Sequence, residues 1–80
     1  GTPMTRTEIL RIRKYLNNKF GSDKFTLEKS QSADDSMEVH HDGEFIGMIY
    51  RDEDEGEVSY AFQMAILEID LPNAADASLI

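Results

Sequence analysis

Asp42-Gly43 stands between two alternating runs, Met37–His41 before it and Glu44–Tyr50 after it. Glycine takes positive φ without steric cost, and aspartate tolerates it better than most residues. The dipeptide is therefore a signal for a tight two-residue hairpin turn. Thirteen residues on, Gly56 stands inside "RDEDEGE" and again precedes a run that alternates, from Val58 to Ile66. A third short alternating run, Phe25–Lys29, comes before the polar stretch "SQSADDS". Short links between alternating runs demand antiparallel neighbours, because a parallel crossover needs a dozen or more residues.

A different period governs the start. Thr5-Arg6-Thr7-Glu8 has the form of a capping box, and Ile9, Ile12, Leu16 and Phe20 follow at helical spacing. Gly21 stands where a left-handed residue would end the helix. The pattern predicts a helix over 6–20, then strands at 25–29, 37–41, 44–50 and 57–69. That is an α+β fold: one N-terminal helix packed on a four-stranded antiparallel β-meander. One domain is expected over residues 4–71, with 72–80 as a flexible C-terminal tail. Gly1-Thr2-Pro3, ahead of Met4, is set aside as an expression remnant.

Eighty residues without a cysteine exclude disulfides and thiolate metal sites and fit a reducing cytoplasm. No apolar run approaches the ~18 residues of a membrane span, and no h-region of a signal peptide is seen. The charge is uneven. Residues 1–29 carry seven basic and three acidic side chains; residues 30–80 carry Arg51 alone against thirteen acids, within a net charge of −8. An acidic total argues against general nucleic-acid binding, which is driven by phosphate neutralisation. Arg11 and Lys14 on the helix nonetheless form a basic face that could serve a nucleic-acid-associated regulator, the alternative reading.

Nothing in the sequence supports catalysis. No glycine-rich phosphate loop and no nucleophile elbow appear. His40 and His41 are adjacent, so strand geometry points them to opposite faces and away from a shared metal. One of them could join Asp42 or Glu44 as an acid–base pair. Asp52, Asp54 and Glu55 resemble part of a calcium loop. Counted from Asp52, however, the glycine falls at position five rather than six, and Gln63 stands where glutamate should. A solvated turn explains the cluster better, with a weak cation or ligand sensor as the remaining alternative. No enzyme, cofactor or metal site is expected.

Both faces of the predicted sheet carry large apolar groups, and one helix covers one face. Phe45, Ile49, Leu67, Ile69 and Leu71 are then expected on an uncovered face with the acidic turn at its rim. A homodimer, or an unidentified protein partner, would cover them. The alternation also phase-slips after Ile66, which reads as a β-bulge or as the end of strand pairing.

The stretches Phe45-Ile46-Gly47, Arg51–Glu57, Ser59-Tyr60 and Phe62–Leu67 resemble a family of short, mainly alphaproteobacterial proteins, the domain of unknown function numbered 3126. The likeness runs from about Thr5 to Leu71, loosely over the helix. It implies a bacterial cytoplasmic protein and brings no activity, cofactor or catalytic residue.

Overall fold

The computed structural model describes residues 3–31 and 34–76. Helix α1 spans Arg6–Phe20 and strands follow at β1 (Phe25–Lys29), β2 (Ser36–His41), β3 (Glu44–Asp54) and β4 (Glu57–Met64). They form one antiparallel sheet in the order β1-β2-β3-β4. A short 3₁₀ turn, η1 (Glu68–Asp70), lies beyond the sheet. The α+β meander is as expected. The last strand is not: it stops at Met64, so the phase slip near Leu67 marks the end of pairing.

The capping box closes at both bonds. The Glu8 N–H donates to Thr5 Oγ1 at 3.1 Å, and the Thr5 N–H donates to Glu8 Oε1 at 3.0 Å. Two of the helix's orphan donors are thereby satisfied. Thr5→Ala is expected to cost about 1 kcal/mol, read as a fall in melting temperature of about 4–8 °C for a domain of this size. At the other end Asn17 fastens the first strand: its Oδ1 accepts the Phe25 N–H at 2.9 Å.

The helix lays Ile12 and Leu16 onto the sheet, where they meet Phe25, Met37, Val39 and Ile49, with Met4 completing the core. Val39 is fully buried at its centre. The helix lies closest to β1. It therefore shelters one side of the sheet only, and on β4 even the helix-facing row stays open: Val58, Tyr60 and Met64 are exposed and Phe62 is half-buried.

Register decides which face each β3 residue meets. Val39 pairs with Gly47, but the next residue, His40, pairs with Phe45, so Ile46 is inserted as a bulge. Phe45 and Ile49 therefore lie on opposite faces. Ile49 is 2 % exposed, inside the core under the helix. The expectation that it sits on an uncovered face is corrected: the bulge shifts the alternation by one residue and takes Ile49 inward.

Candidate functional site

The opening between α1 and β4 is an apolar groove of about 850 Å³. Arg11, Lys14 and Tyr15 form its helix wall, Tyr60 and Phe62 its strand wall, and Ile49 part of its floor. Leu10 joins the lip and is exposed, as is Tyr15 at 61 %. Leu10, Arg11, Lys14 and Tyr15 flank the buried stripe Ile12–Leu16, so a helix set squarely over the sheet would have covered more of this ground. Its placement toward β1 leaves the ground open.

One end of the groove is closed by a polar node. The Glu8 Oε2 atom accepts from Arg51 Nε at 2.9 Å and from the Tyr60 hydroxyl. Arg51 also donates to Glu53 at 3.1 Å. Arg51 and Tyr60 stand directly opposite each other on β3 and β4, which aims both at the first turn of α1. The Tyr60 hydroxyl, the Thr5 N–H and the Arg51 guanidinium together hold the Glu8 carboxyl down at about 2. The hydrogen bond to Glu8 holds the Tyr60 phenol above its usual range. A carboxylate so deeply ionised cannot exchange protons near neutrality. It ties the helix start to the sheet.

A second cluster lies on the helix-free face. The pairs Glu28↔Glu38 and Thr26↔His40 bring Glu28, Glu38 and His40 together across β1 and β2. His40 Nε2 is 3.1 Å from an oxygen of each glutamate. Among the described residues this is the one group of three whose ligand atoms converge, all within 4.8 Å of one another. A divalent cation held at about 2.0–2.2 Å would place neighbouring donors at similar separations. An Nε2–H shared between the two carboxylates satisfies the same three groups without an ion, so the trio is complete as it stands. His41 turns the other way, to Ser22 Oγ at 3.1 Å and the Phe25 ring. The acid partners of His40 are thus Glu28 and Glu38; an ion pair of either histidine with Asp42 or Glu44 is not seen among the described residues.

The other expected site residues scatter. Phe45 is 54 % exposed on the helix-free face, with its ring edge-on to His40 at 5.7 Å. Leu67 and Ile69 are exposed, but they stand past the end of β4 and belong to no sheet face. Their expected place beside Phe45 is corrected for that reason. Asp52 and Asp54 end β3, and Glu55 and Gly56 turn the chain with φ of 51° and 82°. These are the positive angles of a type I′ hairpin. No three ligand atoms of the turn converge among the described residues. Arg11 and Lys14 are exposed and line the groove.

Sequence reasoning did not find the groove, the Glu8 node or the Glu28–Glu38–His40 trio. Each depends on strand register or on where the helix lies. The Arg51–Tyr60 pairing could have been found by counting back from the Gly56 turn.

No described helix is long and apolar enough to cross a membrane. No curated protein and no solved structure matches the chain. The model of one family, "Protein of unknown function (DUF3126)", matches residues 8–70, which takes in the helix from Glu8 onward, all four strands, the Glu8 node and η1; the chain belongs to that family.

Proposed function

We propose that this domain is a small, non-enzymatic protein-interaction module of the bacterial cytoplasm that works as a homodimer, with the α1–β4 groove as its contact surface. The observation that carries this is the open helix-facing row of β4. Val58, Tyr60 and Met64 are exposed although they face the side of the sheet that holds the core. Such a row beside an 850 Å³ apolar groove is a surface that association would dry. The aromatic content of the walls fits an interface, where Tyr and Phe are enriched. Arg11 and Lys14 stand at the rim of that groove, and this placement favours an acidic protein segment over nucleic acid as the group they meet. The absence of cysteine supports a reducing compartment. The deep ionisation of Glu8 supports a structural reading of the most polar cluster near the groove.

The test is solution mass by light scattering over a concentration series, for the native chain and for Leu10→Glu with Tyr15→Glu. Both positions are exposed, so the helix keeps its buried stripe. The native chain is expected at twice 9.1 kDa down to low micromolar concentration. The variant is expected as a monomer with unchanged helical circular dichroism. A native monomer at high micromolar concentration whose groove is covered by its own chain would remove the proposal.

A further inference from the structure

Resting on that reading of the groove, we infer that its occupant is residues 66–71 of a second copy, the two chains exchanging their C-terminal arms reciprocally. After Met64 the chain runs "AILEIDL", in which Ile66, Leu67, Ile69 and Leu71 are all exposed, Ile69 at 88 %. The turn η1 has no buried residue. The molecule is long, 47 × 25 × 22 Å, with a radius of gyration of 15.0 Å. A compact chain of this length has about 12 Å. Four large apolar side chains on a projecting segment are a surface without a cover. The family match nevertheless continues to Asp70, so the arm is part of the family's domain.

Groove and arm match in length, character and charge. The groove is lined from Thr7 to Asn18 of the helix, about 17 Å at 1.5 Å per residue. A six-residue arm, part extended and part 3₁₀, spans about 16–20 Å. The arm's apolar residues alternate with Glu68 and Asp70. The helix wall offers Arg11 and Lys14, one turn apart, and neither makes an ion pair among the described residues. Glu68 and Asp70 make none either. With Ile69 seated in the groove, Glu68 and Asp70 would flank it on either side of the 3₁₀ turn and meet the two cations at the rim. No residue of the arm lines its own groove, and a two-fold axis makes each exchange the copy of the other, so both grooves and both arms are covered at once.

Charge reversal tests this. One variant carries Arg11→Glu and Lys14→Glu; the other carries Glu68→Lys and Asp70→Lys. All four positions are exposed, so both chains are expected to fold. Alone, each variant sets like charges against each other in both grooves and is expected to run at 9.1 kDa under conditions where the native chain is a dimer. Mixed in equal amounts at low salt, they are expected to form a heterodimer, because every groove then meets an arm of opposite charge. A mixture that stays monomeric, or variants that stay dimeric alone, would overturn the exchange. Variants dimeric alone while Leu10→Glu with Tyr15→Glu is monomeric would reject the arm and keep the groove as the interface. A native chain monomeric throughout, with its arm cross-linked to its own helix, would reject both readings.

Discussion

Gly47→Ala is expected to destabilise the domain more than Gly43→Ala, although only Gly43 has a backbone that disfavours a side chain. Gly43 has φ of 84° and open space where a Cβ would stand. Alanine there bears conformational strain of about 1–2 kcal/mol. Gly47 has no positive φ, and its constraint is space. A Cβ at Gly47 would lie 2.3 Å from the Gln63 carbonyl oxygen and 2.9 Å from Phe62 Cε1. The ring could rotate, but the carbonyl is backbone of the paired strand, in register with Met48. Relief requires β3 and β4 to part, at the point where Phe62 rests on Gly47 and forms the groove's strand wall. Overpacking a core with side-chain relaxation costs about 1–3 kcal/mol; a clash with paired backbone belongs at or above the top of that range. About 3 kcal/mol would lower the melting temperature by about 12–24 °C, against a total stability of roughly 4–12 kcal/mol for a chain of this length. Urea unfolding of both variants checks the order. A Gly47→Ala variant within about 1 kcal/mol of the native chain would show that the strands give way easily there.

That glycine also marks the limit of what could be read from residues alone. The helix was legible because local chemistry alone decides it: a capping box at Thr5–Glu8, a 3.6-residue stripe and a left-handed Gly21. The hairpin at Asp42-Gly43 was legible for the same reason, and the observed angles of 54° and 84° are those the dipeptide favours. Phe45, Gly47 and Ile49 are spaced by two, so alternation puts them on one face. A single inserted residue, Ile46, sends Phe45 to the helix-free face while Gly47 and Ile49 go inward. Nothing local in "EFIGMIY" announces the insertion, since it arises from the pairing of β3 with β2. The groove is still less local. A helical stripe says which side of α1 is buried and not over which strands it lies, and a shift across the sheet is what exposes Tyr60 and Phe62 to Arg11 and Lys14. The arm was half legible: the phase slip at Leu67 left a bulge or the end of pairing open, whereas β4 already ends at Met64, and nothing in the slip says that the next residues leave the sheet altogether.

The acid limb of the stability curve is expected to be set in good part by Glu8. Its carboxyl lies at about 2 in the folded chain against 4.5 as the ordinary value. A depressed carboxylate contributes stability that is fully present above the unfolded value and is lost as pH falls through the folded one. The window is therefore from about pH 4.5 down to about 2. The full shift corresponds to about 3 kcal/mol. Glu8 stands at a partly open edge where water screens its partners, which reduces the expected contribution to about 1–2 kcal/mol. Glu8→Gln keeps an acceptor for the Thr5 N–H but removes the charge that Arg51 and Tyr60 meet. At pH 7 it is expected to lose that 1–2 kcal/mol, and between pH 4.5 and 2 its stability should fall less steeply than that of the native chain. Tyr60→Phe provides the intermediate case. It deletes the largest cause of the depression, so the loss on acidification should begin at the same pH, end at a higher one and be smaller in total. Urea unfolding at several pH values gives all three curves. If the native and Glu8→Gln curves run parallel from pH 7 to 2, the node does not stabilise the helix start, and the groove's closed end is held by Ile12 and Leu16 alone.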